Sequence, residues 1–151
     1  MAKNKLITDN ELFYAAVDLI IAAKKTLVLI QPNLSNIEHL LEKISQLRAK
    51  GVEVYIVTRP EDKDPSHKKA LLFFEKAGCR IFTDPLINAR IIIRDQAELL
   101  TSSAELSKTA NDRFFDIGIY SNDSSLIDKA LEYAEKLIRI IDKKKKTAST
   151  T

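Results

Sequence analysis

The segment Asn88–Leu106, NARIIIRDQAELLTSSAEL, contains two strand-like runs with almost nothing between them. Residues 87–94 and 97–101 are rich in isoleucine and leucine, and only Asp95 and Gln96 separate them. Two such runs joined by two residues predict a tight β-hairpin. A hairpin at this point makes the predicted sheet a mixed one, because helices and strands alternate along the chain before it.

The alternation before the hairpin is clear in the sequence. Short apolar or β-branched runs predict strands at residues 26–31, 52–58 and 79–82. Apolar residues at helical spacing predict helices at residues 9–23, from a Ser35–Glu38 capping box to Gly51, and at residues 66–77. After the hairpin come a predicted strand at 114–121 and an amphipathic helix at 124–141. The expected fold is α/β, a mixed and mostly parallel sheet with helices on its faces.

Charge is distributed unevenly along the 151 residues, a length typical of one domain. The chain has 24 basic and 21 acidic residues, but six basic residues lie in the two ends and no acidic residue does. Residues 6–142 therefore carry a net charge of −3 and are predicted to form the domain. Residues 1–5 are expected to be flexible, and the Lys/Ser/Thr-rich residues 143–151 to be a disordered tail. Its lysines, Lys143, Lys144, Lys145 and Lys146, are expected to add only a weak, salt-sensitive affinity for nucleic acid or anionic lipid.

The composition excludes several functional classes. Three glycines are too few for a Gly-rich phosphate loop or a dinucleotide motif. His39, His67 and Cys79 do not have the spacing of metal ligands, so neither a metal nor a cofactor is expected. No apolar run reaches the roughly 18 residues of a membrane span, and the N-terminus lacks a signal-peptide core. With a single cysteine, a cytoplasmic location is the expectation.

Six positions in Asn88–Leu106 resemble the signature of the phospholipase D-like superfamily. That signature reads H-x-K, four residues, Asp, six residues and then G-S-x-N, and the spacing in this chain is the same. The corresponding residues, in order, are Asn88, Arg90, Asp95, Ser102, Ser103 and Glu105. Only Asp95 and Ser103 are identical to the family's residues. The resemblance extends over residues 26–138 and implies a single-domain phospholipase D-like sandwich.

The resemblance also implies phosphodiester cleavage as the family's activity, and the altered motif of this chain changes that expectation. In this family one histidine attacks phosphorus, a histidine from a second half-site protonates the leaving oxygen, and lysines hold the phosphate. Asn88 has neither the nucleophilic nitrogen nor the near-neutral pKa of histidine, so no catalytic residue is assigned. Arg90, together with Asn88 and Ser103, is expected to bind an anion without cleaving it, although Glu105 would pair with Arg90 and repel phosphate. The predicted function is a degenerate domain that acts as a binding or dimerisation module, with a phosphodiester or nucleic acid as candidate ligand.

Each chain carries one such motif, whereas the family's active site is completed by two half-sites. The resemblance therefore implies a homodimer about a two-fold axis near Arg90 and Ser103.

Several alternatives remain open at this point. Arg90, Glu105 and Asp116 can form an internal ion-pair network instead of a ligand site. Ser102 and Ser103 can be loop-capping hydroxyls. The rival function is an active, metal-independent phosphodiesterase or nuclease that uses altered residues such as His67, although a first-turn surface histidine is the favoured interpretation of that residue. A third possibility is binding of nucleic acid by the tail alone.

Overall fold

A computed structural model describes residues 2–108 and 114–149 of the chain. These residues form a seven-stranded sheet with helices on both faces. The strands are β1 Asn4–Thr8, β2 Thr26–Ile30, β3 Glu53–Thr58, β4 Arg80–Thr83, β5 Ile91–Arg94, β6 Glu98–Ser102 and β7 Ile117–Ser121. The helices are α1 Asp9–Ile21, α2 Glu38–Ala49, α3 Pro65–Lys76 and α4 Ser124–Ser149.

The sheet has the order β1-β7-β6-β5-β2-β3-β4 and is mixed, as predicted. Only β2 with β3 and β3 with β4 pair in parallel, and these are the strands joined by α2 and α3. The pairs β1–β7, β7–β6, β6–β5 and β5–β2 are antiparallel. The expectation of a mostly parallel sheet was therefore wrong, because the hairpin and the two outer strands add more antiparallel pairs than the crossovers add parallel ones.

Two hydrophobic cores lie on opposite faces of the sheet. On one face α1, α2 and α3 pack against the strands around Leu12, Ile44 and Phe74, all nearly inaccessible to solvent. On the other face α4 alone packs Ile127, Ala134 and Ile141 against β2 to β6. Each core removes a large apolar surface from water, which is the main stabilising contribution in a domain of this size.

Helix α4 covers only part of its face of the sheet. One row of side chains crosses all seven strands on that face, because cross-strand partners point to the same side. The row consists of Leu6, Ile119, Thr101, Ile91, Ile30, Val57 and Phe82. Its β2, β3 and β4 members are buried under α4, whereas Leu6 is 67% and Ile119 47% exposed. Leu6, Ile117 and Ile119 together form what we call the open sheet face.

The structure extends regular elements beyond the predicted domain limits at both ends. Asn4 and Lys5 belong to β1, which pairs with β7 and which the sequence patterns missed. Lys143 to Lys146 lie in α4, which runs without a break to Ser149, so the prediction of disorder over residues 143–149 was wrong. Helix propensity explains the extension, since lysine and alanine favour a helix that tertiary packing has already started.

Two local predictions also need correction. Helix α2 begins at Glu38 with Ile37 in the N-cap position and no side-chain cap, so Ser35 and Glu38 form no capping box. The Ser35 hydroxyl donates instead to the carboxylate of Asp64, which caps α3. Strand β5 begins only at Ile91, although the pattern predicted a strand from residue 87.

No helix in the described residues is both long and apolar enough to cross a membrane.

Candidate functional site

Most of the predicted site residues gather at one edge of the sheet. Strands β2, β3, β4 and β6 end at this edge, and β5 and β7 begin there, as the pairing directions require. Arg90 precedes β5, Ser102 and Ser103 lie at the end of β6, and Asp116 precedes β7. We call this the carboxyl edge, the position at which α/β sheets usually bind ligands.

Arg90 forms an ion pair with Glu105. Its Nη2 lies 3.7 Å from Glu105 Oε1, and the two side chains are 23% and 39% exposed. The predicted pairing of these residues is therefore present. The Nε atom of Arg90 is buried and has no hydrogen-bond partner among the described residues. The charged partner of the guanidinium among the described residues is thus a carboxylate of the chain itself.

A narrow cavity of about 20 Å³ lies beside this ion pair, between α1 and the sheet. Its charged lining residues are Arg90 and the carboxylates Asp9, Glu105 and Asp116. One cation among three carboxylates gives a negative pocket, and a volume of this size accommodates about one water molecule. This cavity therefore has neither the charge nor the room that a phosphate group needs.

The hydroxyl of Ser103 takes part in a hydrogen-bond network at the same edge. It donates to Asp116 Oδ1 at 2.7 Å and accepts from the Ile117 N–H at 3.1 Å. Asp116 in turn donates its backbone N–H to Asp9 Oδ1 at 3.0 Å. Ser102 Oγ accepts from the Ala104 N–H at 3.1 Å. Both serines thus act as loop-capping hydroxyls, and the Asp116 carboxylate accepts from Ser103, whereas the Arg90 guanidinium pairs with Glu105.

Asn88 and Arg90 contact different side chains. Its Oδ1 accepts from Arg59 Nη2 at 3.2 Å, and Arg59 Nε donates to the Ile87 carbonyl at 2.7 Å. The strand predicted over residues 87–94 would place Asn88 and Arg90 on the same face, because side chains alternate along a strand with a period of two. That geometry does not apply at Asn88, since β5 begins at Ile91.

Asp95 lies away from the other site residues, in the β5–β6 turn at the opposite edge of the sheet. Its carboxylate accepts from the N–H groups of Lys24, Lys25 and Thr26 at 2.6–3.1 Å. Burial acts to raise the pKa of Asp95, but these hydrogen bonds and the charge of Arg94 hold the pKa below its ordinary value. Asp95 therefore anchors the segment that leads into β2 and takes no part in ligand binding at the carboxyl edge.

His67 is a buried residue, and the prediction that it lies on the surface was wrong. Its Nδ1 accepts from the Leu34 N–H at 3.0 Å, and its Nε2 lies 2.9 Å from the Arg59 carbonyl oxygen. These partners require the neutral tautomer with its proton on Nε2. The cap of α3 is Asp64, which accepts from the Ser66 and His67 N–H groups, so the helix begins one residue earlier than its sequence pattern indicated.

Three residues of this edge were missed in the sequence. Arg59 follows β3 at its carboxyl end, a position that could have singled it out. Asp9 was interpreted only as the first residue of a helix, and Gln31 only as the end of a strand. Gln31 is 2% exposed, and its Oε1 has no hydrogen-bond partner among the described residues. Within residues 2–108 and 114–149, no group of three His, Cys, Asp or Glu side chains is arranged to hold a metal ion.

The sheet order, the helices on both faces and the motif positions at the β5–β6 hairpin define a phospholipase D-like α/β domain. The family model described as "Cardiolipin synthase, PLD-like domain" matches residues 16–138. The chain therefore belongs to the phospholipase D-like domain family. A comparison with curated protein sequences finds no match.

Solved structures agree with this fold. The phospholipase D family member Nuc from Salmonella typhimurium matches with a TM-score of 0.80 and 17% identity, over 90% of this chain and 93% of that one. NucT from Helicobacter pylori matches with a TM-score of 0.79 and 15% identity, over 92% and 97% of the two chains. TrmBL2, an archaeal chromatin protein, matches with a TM-score of 0.64 and 15% identity, over 89% of this chain and 53% of its own. At these identities the similarity establishes the fold alone.

Proposed function

We propose that this chain is a catalytically degenerate phospholipase D-like domain that acts as a dimerisation and binding module, located in the cytoplasm. The observation that carries the proposal is the Arg90–Glu105 ion pair beside a cavity of about 20 Å³. The Glu105 carboxylate pairs with Arg90, the cation that would otherwise hold a phosphate. Asn88 stands at the position where the family signature has its nucleophilic histidine. Without a nucleophile or an open anion site, binding and assembly are the functions that the fold supports best.

Hydrolysis assays test the catalytic part of the proposal. Bis-p-nitrophenyl phosphate and a labelled oligonucleotide are each incubated with the full chain, with and without a chelator. We expect no turnover above the buffer control. The proposal would be contradicted by turnover that is unaffected by a chelator and is abolished in Arg90→Met but retained in Arg80→Met.

That contradictory result would support the alternative function, a metal-independent phosphodiesterase or nuclease. The alternative needs a general acid or nucleophile in place of the family's histidine. His67 is a poor candidate, because both of its ring nitrogens are occupied by backbone groups and the residue is buried. The alternative is therefore the less favoured of the two.

The open sheet face supports homodimerisation near the predicted two-fold axis. Leu6, Ile117 and Ile119 are between 47% and 67% exposed on adjacent outer strands. Ile117 also donates its N–H to Ser103, which joins this apolar surface to the carboxyl edge. Phe115, two residues before Ile117, is 97% exposed. A contiguous apolar surface of this kind is typical of a protein–protein interface, and a closed dimer would bury it on both copies.

Light scattering after size-exclusion chromatography tests the dimer. The wild-type chain is expected to be dimeric at concentrations on the order of tens of micromolar. The Ile119→Glu variant is expected to be monomeric there, or to dissociate at a higher protein concentration than the wild type does. Leu72→Glu is a matched control, because Leu72 lies on α3 against the other face and is also 47% exposed. A monomeric wild-type chain, or equal effects of the two substitutions, would contradict this interface.

A further inference from the structure

The carboxyl-terminal half of α4 carries a basic stripe of four residues. Lys136, Arg139, Lys143 and Lys146 follow one another at spacings of three, four and three residues. At 100° per residue these positions fall within about 80° of the helix circumference, and they extend over about 15 Å. All four are exposed, and none forms an ion pair with another described residue.

Charge along α4 is strongly segregated. Residues 136–149 contain six basic residues and one acidic residue, whereas residues 124–135 contain one basic and three acidic residues. The positive charges therefore concentrate where the helix extends past Ile141, its last residue buried against the sheet. The four stripe residues form no ion pair with another described residue, and repulsion between neighbouring lysines disfavours the helix.

An ion pair holds this charged end in place. Lys144 Nζ donates to Asp84 Oδ2 at 2.6 Å, and the Asp84 side chain is only 7% exposed. The hydrogen bond from Lys144 keeps the pKa of Asp84 below its ordinary value, as does the Leu86 N–H. Asp84 also donates its backbone N–H to the carbonyl of Thr58, at the end of β3. Lys144 therefore ties the helix to the carboxyl edge, and the stripe is displayed on a fixed helix.

We propose that the stripe binds the sugar-phosphate backbone of nucleic acid. Phosphates of one DNA strand are about 3.4 Å apart along the helix axis, so a stripe of about 15 Å faces roughly four of them. An anionic membrane surface is the other polyanion to consider. In residues 136–149 the exposed large apolar side chain is that of Ile140, which is 40% exposed, and residues 142–149 have none larger than alanine. One partly exposed isoleucine gives the stripe little apolar surface with which to enter a bilayer, which favours nucleic acid.

This inference does not depend on the degenerate site or on the dimer, since the stripe lies on α4 outside the negative cavity and outside the open sheet face. Nucleic acid is held at the stripe without cleavage, by charge and without sequence preference. The site therefore differs in place and in chemistry from the phosphate-binding position that the family motif implies.

Fluorescence anisotropy of a labelled DNA duplex of about 20 base pairs tests the proposal with the full chain. We expect binding whose logarithmic affinity falls with the logarithm of salt concentration with a slope of about −3 to −4, as four released counterions predict. Changing Lys136, Arg139, Lys143 and Lys146 together to glutamine is expected to weaken binding at least about tenfold and to flatten the slope.

Two comparisons separate the stripe from general electrostatics. The matched control changes Lys50, Lys63, Lys69 and Lys76 to glutamine, which removes the same charge from other elements, and it is expected to retain binding. A chain truncated after Asp142 retains Lys136 and Arg139 and is expected to bind with intermediate affinity. Equal loss in the stripe and control variants would overturn the proposal. So would binding to phosphatidylserine vesicles without binding to the duplex.

Discussion

At the scale of single residues, Glu105 decides what Arg90 can do. A guanidinium binds phosphate and carboxylate by the same charged hydrogen bonds, so the partner that the chain itself supplies competes with any ligand. Glu105 Oε1 lies 3.7 Å from Arg90 Nη2, and Asp9 and Asp116 line the same cavity. An arginine in a family's phosphate position is thus not sufficient evidence of a phosphate site.

Asp95 is the single residue for which we predict the clearest pH dependence. Its pKa is lower in the folded chain than its ordinary value, so the ionised carboxylate stabilises the fold at pH values above about 4. This contribution is lost as pH falls through the folded-state pKa. Asp95→Ala is expected to lower the free energy of unfolding by about 2 kcal/mol at neutral pH, because three backbone N–H groups lose their acceptor.

Urea unfolding of Asp95→Ala and the wild type at pH 7 and near pH 3 checks this prediction. The difference between the two proteins is expected to shrink at the lower pH. Asp95→Asn is the control, because asparagine tolerates the positive φ of 53° at this position and retains one acceptor oxygen. A pH-independent difference would show that the carboxylate charge is not responsible.

At the scale of the elements, His67 joins α3 to two loops at the carboxyl edge. Its ring connects the Leu34 N–H after β2 with the Arg59 carbonyl after β3. Ser35 and Asp64 connect the same segments a short distance away. These contacts hold the loop before α2 against the first turn of α3, which is a structural role and not an acid–base role.

His67→Ala is expected to lower the free energy of unfolding by about 2–4 kcal/mol, since a buried side chain and two hydrogen bonds are removed together. Chemical denaturation measures the effect. Lys69→Ala, an exposed residue in the same helix, is the control and is expected to change stability by less than about 0.5 kcal/mol. If His67 instead serves catalysis at the surface, its substitution will leave stability unchanged.

At the scale of the whole molecule, α1 and β7 approach each other closely at Gly118. A Cβ atom on this residue would lie 2.7 Å from Leu12 Cδ1, 2.7 Å from Ser102 Cβ and 2.9 Å from the Thr101 carbonyl oxygen. Residues from two other parts of the chain, α1 and β6, therefore require a glycine here. Their contact brings the start of α1, the end of β6 and β7 together around the candidate site.

Gly118→Ala is expected to destabilise the fold by about 1–3 kcal/mol, because backbone and packed side chains must move to make room. Thermal unfolding followed by circular dichroism measures the loss. Gly51→Ala provides the comparison: its Cβ would meet nothing within 4 Å, so only the positive φ of 90° adds a cost, about 1 kcal/mol. A smaller loss at Gly118 than at Gly51 would argue against the close packing.

Local sequence signals determined much of this fold. Periodicity predicted four helices, and the two-residue connection predicted the hairpin, in which Asp95 and Gln96 both have positive φ. The spacing of Asn88 to Glu105 identified the family. The ion pair between Arg90 and Glu105 was also foreseeable, because Glu105 places a carboxylate where the family signature has a neutral amide, and a carboxylate attracts the guanidinium.

Only the tertiary structure decided the rest, because the remaining features depend on contacts between distant segments. Strand β1 is a short polar run that is stabilised by pairing with β7 more than a hundred residues later. His67 resembles a surface residue until Leu34 and Arg59 are placed around it. The composition of the basic tail is typical of a disordered segment, but in the structure residues 143–149 continue α4 and Lys144 pairs with Asp84. Sequence patterns report local preference, whereas burial and pairing across the chain depend on which segments the fold brings together.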